Sequence, residues 1–277
     1  MSILRVYGNS FFADPYPDIP SITGLLSKKL DIPMVNHAII GASTDYGYLT
    51  FINDVKNKVI QDNDIIIFAI GNPNRLNFKH QNRLRPETGE KYLHYPPDDG
   101  KDHSWYFENR KNIRWWMVNQ DQDFMKLNYE SYVCVIKNLA QLYPKIKFIV
   151  MHGFAPTSNL PEIPAPPNFL ESKIAIWDIV AIEYGTGVHY KNWIKNTIWD
   201  PRSNHLTIPN IHIMTDLLEE SIKNLSVDNI TIDKFQTNLL ENIIESVDQY
   251  HDYISKGYLY GNNELYNRIV TKLLANE

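Results

Sequence analysis

The sequence predicts an α/β fold, a three-layer α/β/α sandwich built around a mainly parallel sheet. Short apolar runs alternate with stretches of helical period through the first two thirds of the chain, the pattern of strands joined by helical crossovers. Three runs, ILRVYG (3–8), DIIIFAIG (64–71) and IKFIVMHG (146–153), stop at a glycine, where a strand can turn sharply; a fourth is PMVNHAI (33–39). The gaps between them are long enough for the crossovers that parallel strands need.

Each element follows in order. The first strand breaks at Gly8 into the turn-rich stretch NSFFADPYPD. After the second, Leu49, Ile52, Val55 and Val59 recur at helical spacing; after the third come residues 75–120, an irregular insertion too long for an ordinary connection. Its many Trp and Tyr residues argue against disorder. Tyr132, Val135, Ile136 and Leu139 predict the next helix, and the prolines of TSNLPEIPAPPNF (157–169) predict a rigid excursion without regular structure. A further helix is expected to bury Ile208, Ile211, Met214 and Leu218. The domain is therefore expected to span residues 1–224. A helical C-terminal extension, 225–277, would carry one stripe through Phe235, Leu239, Leu240, Ile243, Ile244 and Val247, and another through Leu265, Ile269, Val270 and Leu273. These stripes are expected to cover the domain or to join a second copy in a homo-oligomer.

Bulk composition narrows the function classes. At 277 residues and 43% hydrophobic content the chain can bury a full core. A net charge of -5 without any Lys/Arg block speaks against a nucleic-acid partner. No run approaches the roughly 18 apolar residues of a membrane span, and MSILRVYGNS is not a basic-then-apolar leader. The expected location is cytoplasmic or virion-associated. Cys134 is the one cysteine; it cannot form an intrachain disulfide and is expected to be an inert core thiol. Neither a phosphate-cradling glycine loop nor a dinucleotide fingerprint follows any strand, and no His/Cys cluster has metal-ligand spacing. No metal and no cofactor is expected.

The chemistry gathers around Ser10, which follows the first strand. A hydroxyl is a weak nucleophile until a base takes its proton. Asp200 and His205, separated by the turn-forming PRSN, offer such a base with the carboxylate that orients it. Gly41 after the second strand, and Asn72 and Asn74 beside Gly71 after the third, offer fixed donors for an oxyanion. His152 is expected to be a satisfied buried histidine and His212 to pack within its helix. Trp105, Tyr106, Trp115 and Trp116 can form a platform for sugar rings or acyl chains, or a local core that holds the insertion together.

The order Gly-Asn-Ser, then Gly41, then Gly71 with nearby asparagines, then Asp200 and His205 before a late helix resembles the SGNH (GDSL-type) hydrolase superfamily, and DPRSNHLTIPN resembles the last block of its phage and bacterial members. The resemblance spans roughly residues 3–224. It implies a flavodoxin-like sheet, Ser10 as nucleophile, His205 as base and Asp200 as its orienting acid. It also implies an oxyanion hole from the Ser10 amide, Gly41 and Asn72 or Asn74. Asn9 stands where the family has Asp, Pro73 stands at the strict asparagine position, and five positions separate Asp200 from His205, more than the family's spacing. The expected activity is ester hydrolysis or deacylation, with small acyl groups on a carbohydrate as substrate; an acyltransferase differs only in the acceptor. The alternative expectation is a catalytically silent protein of the same fold, a virion or surface component that binds a glycan or protein partner.

Overall fold

The computed structural model describes residues 2–14, 20–39, 42, 44–71, 77–78, 91–92, 122–153, 164–184 and 206–237, with Asp248, His251, Asn267, Val270 and Thr271 beyond them. The strands are β1 (Leu4–Gly8), β2 (Met34–Asn36), β3 (Ile65–Ile70), β4 (Asn77–Phe78), β5 (Lys91–Tyr92), β6 (Lys147–His152) and β7 (Phe169–Ala175). Five of them form one parallel sheet in the order β2-β1-β3-β6-β7. This is the flavodoxin-like order, in which the chain starts near the centre, adds one strand on one side and then crosses to the other. β4 and β5 pair antiparallel inside the insertion that was expected to be irregular throughout.

The helices among the described residues are α1 (Ile22–Leu30), α2 (Thr44–Lys56), α3 (Gln122–Leu142), α4 (Ile176–Tyr184) and α5 (Ile208–Asn224). Successive strand side chains point to opposite faces, so the apolar central strands feed two cores. Leu4, Val6, Ile67, Ile149 and Met151 pack with Leu26 of α1, Ile179 of α4 and Met214 and Leu218 of α5. Tyr7, Ile66, Phe68, Phe148 and Val150 pack with Phe51 of α2 and Val133 and Ile136 of α3. Parallel strands buried on both faces read as continuous apolar runs, which is why IIIFAI lacks alternation.

Polar groups fix the ends of these elements. Ser21 caps α1 by accepting from the Gly24 amide at 3.0 Å, and Asp31 closes it in the left-handed conformation. Asn168 Nδ2 donates to the carbonyls of Ala140, Tyr143 and Ile146 at 2.7–3.1 Å, tying the end of α3 to the approach into β7. At the N-terminal edge of the sheet, Arg5 Nε donates to Asp64 Oδ2 at 2.8 Å, and the same carboxylate accepts from the Ile3 and Gln61 amides at 3.0 Å. That buried pair is stabilised because its remaining lone pairs are occupied.

The structure differs from the sequence reading at several points. β7, an edge strand with the mixed sequence FLESKIA and a register shift opposite Val150–His152, lacked the apolar run that marks the central strands. The helix over 44–56 buries Gly47, Phe51 and Asp54, while Leu49 is 61% exposed and Val59 lies beyond its end. Ile52 and Val55 of the expected stripe pack, half-buried, against the core beside Phe51. Cys134 is half-buried on α3 rather than in the core, and His212 is exposed on α5. Ile208 is only half-buried, whereas Ile211, Met214 and Leu218 are buried as expected. Past α5, Val227, Ile230 and Phe235 pack into the same core as α1 and α5, and Phe235, expected to begin a helical stripe, has extended backbone after a single 3-10 turn, Ile232–Lys234. The two helical stripes beyond residue 237 lie outside the described residues, apart from the five helical positions named above.

Candidate functional site

The strand order reverses between β1 and β3, since the chain leaves β1 for β2 on one side and returns to β3 on the other. In open parallel sheets the crevice at the C-terminal ends of such a pair is where ligands bind. Ser10 lies there, two residues beyond the end of β1.

The sequence builds this corner from small residues. Gly8 has φ 144°, and a Cβ on it would lie 2.4 Å from the Ala69 carbonyl oxygen. On its other side a Cβ on Gly47 would lie 2.9 Å from the Gly8 nitrogen. The end of β1 is thus held between β3 and the first turn of α2, where a larger residue would force them apart. Thr44 Oγ1, at the start of α2, accepts from the Gly71 amide at 3.0 Å and ties that turn to the end of β3.

Beyond Gly8 the chain closes a tight turn. The Asn9 carbonyl accepts from the Phe12 and Ala13 amides, each at 3.2 Å, and Asn9 Oδ1 accepts from the Phe11 amide at 3.1 Å. Such an Asx turn is a reason for Asn at this position. Phe12 is anchored in turn: its carbonyl accepts from Asn36 Nδ2 at 3.0 Å and from Thr23 Oγ1 at 3.3 Å. The loop lies across the strand ends. A Cβ on Gly71 would meet Asn9 Nδ2 at 3.2 Å, and a Cβ on Gly153 would meet Asn9 Nδ2 and Phe11 Cδ2, both at 3.1 Å. The glycines that end the β3 and β6 runs leave the room that the Ser10 loop occupies.

Two groups in this loop are buried without being apolar. Ser10 is 6% exposed and Asn9 is 1% exposed. Among the described residues Asn9 Nδ2 has no hydrogen-bond partner. A buried donor left in that state costs about 1–3 kcal/mol, and such groups in folded proteins call for an explanation.

Ser10 is the only member of the expected triad and oxyanion set that falls among the described residues. His205, Asp200, Gly41, Asn72 and Asn74 lie outside them, as do Trp105, Tyr106, Trp115 and Trp116. The chain two residues after His205 is firmly placed. Glu183, fully buried on α4, accepts at Oε1 from the Thr207 amide and Thr207 Oγ1, each at 3.0 Å, and from Asn210 Nδ2 at 2.7 Å. Thr207 makes no cap bond with its own side chain, so a carboxylate from another helix satisfies the first turn of α5. A negative charge is also favoured there by the helix dipole. The sequence signal for Glu183 is the second of two acids in the largely apolar stretch IWDIVAIEY.

His152 ends β6 and is 1% exposed. Its Nδ1 meets the Tyr129 hydroxyl at 2.5 Å and its Nε2 meets Glu171 Oε1 at 3.1 Å. Lys137 Nζ lies 3.2 Å from the other Glu171 oxygen. Burial and the Glu171 charge push the Tyr129 phenol up. Burial also pushes the Glu171 carboxyl up, but the hydrogen bond and charge of His152, together with Lys137, outweigh it and hold the group below its ordinary value. Both ring nitrogens are occupied, so His152 is the satisfied histidine expected of it and has no nitrogen ready to take a proton from a substrate.

A third cluster, Tyr7, Asp54 and His37, joins β1 to α2 and to the segment after β2. Tyr7 Oη donates to Asp54 Oδ2 at 2.7 Å, His37 Nε2 lies 3.3 Å from the same oxygen, and the two rings stack at 5.2 Å. Sequence offers no signal for it, because the partners sit on different elements. Among the described residues no group of three or more His, Cys, Asp and Glu side chains could hold a metal ion, and no helix is long and apolar enough to cross a membrane. No protein-family model matches the chain, and a search of curated proteins finds no match. What the described corner offers chemically is a buried serine and, in the residue before it, an amide donor with no partner among the described residues, at the end of the two strands where the topology turns.

Proposed function

We propose that this chain is a serine esterase or deacylase of SGNH type that acts on small acyl groups, with carbohydrate esters as the substrate class. Ser10 Oγ attacks the ester carbonyl, His205 takes the Ser10 proton and returns it to the leaving alcohol, and Asp200 orients His205. Amides of Ser10 and Gly41 and a side chain from Asn72 or Asn74 face the oxygen that becomes charged. Water, or a second alcohol, then accepts the acyl group.

The placement of Ser10 is the observation that carries this reading: a serine in a tight turn at the C-terminal end of β1, beside the switch point, where Gly71 and Gly153 make space for its loop. The order of motifs in the sequence supports it. Hydrolysis of p-nitrophenyl acetate by the wild type and by Ser10→Ala tests it. A fall in kcat of at least about 10⁴-fold is expected on losing a serine nucleophile; equal rates would overturn the reading.

The second reading, a silent protein of the same fold that binds a glycan or a protein partner, draws on the burial of Ser10, which is 6% exposed. It requires wild type and Ser10→Ala to show the same background rate.

A further inference from the structure

Asn9 is explained only in part by its turn. Its Oδ1 holds the Phe11 amide at 3.1 Å, which any short acceptor side chain could do. Its Nδ2 is buried, has no partner among the described residues, and is lodged against Gly71 and Gly153 at the ends of β3 and β6. It belongs to the residue before Ser10, and the two residues lie at comparable depth, 1% and 6% exposed. A donor without an acceptor, fixed by a turn and two glycines in the residue before a nucleophile, is preorganised for charge that appears only during a reaction.

We propose that Asn9 is a catalytic residue whose Nδ2 donates to the oxyanion of the Ser10 adduct. The proposal rests on the esterase reading. As Oγ bonds to the acyl carbon, its proton passes to the base and the carbonyl electron pair moves onto oxygen; Nδ2–H then gains the acceptor it lacks in the resting protein. When the carbonyl re-forms, the bond to the leaving alcohol breaks, that oxygen takes the proton from the base, and Nδ2 returns to its unpartnered state.

The test uses the full chain, p-nitrophenyl acetate and two variants. Asn9→Asp keeps the shape and the acceptor for Phe11 but turns the donor into an acceptor. Asn9→Ser keeps a hydroxyl acceptor for the turn and removes the amide without burying a charge. Both are expected to lose about 10²–10³-fold in kcat, as when one oxyanion donor is deleted, with KM within about threefold of wild type. Inhibition by phenylboronic acid, which forms a tetrahedral adduct on serine, is expected to weaken in parallel with kcat/KM, which a purely structural role for Asn9 would not produce. Variants that keep kcat within about threefold, while Ser10→Ala is inactive, overturn the role of Asn9 and leave the esterase reading standing. A wild type no faster than Ser10→Ala overturns both.

Discussion

At the scale of single residues, buried polar groups carry most of what is specific to this chain. Asn9 and Ser10 occupy a corner that Gly8, Gly47, Gly71 and Gly153 keep open, and each of these glycines faces a neighbour that a side chain would strike. The Glu171 carboxylate shows how the same kind of group ties stability to pH. Its folded value lies below the ordinary 4.5, because the His152 hydrogen bond and charge and the Lys137 charge outweigh the opposing effect of burial. A depressed carboxyl contributes stability above its unfolded value and loses it as pH falls through its folded one. Urea denaturation at pH 7 and at pH 4 and below should therefore show the wild type weakening through that window. Glu171→Gln should be less stable at pH 7 and should lose part of the pH slope; an unchanged slope would mean that the pair contributes nothing.

At the scale of elements, the helix ends are held by side chains from other elements. Glu183 of α4 takes three hydrogen bonds from the start of α5, and Asn168 donates to the Ala140 carbonyl in the last turn of α3 and to the Tyr143 and Ile146 carbonyls just beyond it. Glu183→Ala would leave three buried donors without their acceptor, at about 1–3 kcal/mol each when no water replaces it. A loss of about 3 kcal/mol is the expected minimum, or roughly 6–12 °C in Tm for a domain of this size. Differential scanning calorimetry measures it directly, and a Tm within about 2 °C of wild type would contradict the trans-capping role. Because Thr207 follows His205 by two residues, this bond also fixes the chain just beyond the proposed base. Elements of this kind were only partly legible beforehand. The helix over 208–224 showed in its apolar spacing, but its cap did not, since Glu183 lies more than twenty residues away and reads locally as one of two acids in a largely apolar helix. β7 was not legible because an edge strand needs apolar residues on one face only, and a register shift disturbs even that alternation.

At the scale of the whole molecule, β1, β3 and β6 divide the interior into two apolar clusters while contributing side chains to both. The halves should therefore unfold together. Ile67→Ala, which opens one cluster, and Phe148→Ala, which opens the other, should each lower a single calorimetric transition, by about 2–5 and 3–5 kcal/mol; two separated transitions would contradict a shared core. The parallel sheet was readable because strands buried on both faces leave unmistakable apolar runs, and three of their ends were marked by glycine. Of the expected triad and oxyanion set, only Ser10 falls among the described residues. Its neighbours in space come from β3, β6 and α2, and nothing local in the sequence says that Asn9 would rest on Gly71 and Gly153. The account's central claim, that Ser10 is a nucleophile at the switch point, is tested most directly by treating the folded protein with a fluorophosphonate and mapping the adduct by mass spectrometry. One adduct on Ser10, lost in Ser10→Ala and after unfolding in urea, is the predicted result; a folded wild type that carries no adduct on Ser10 would contradict it.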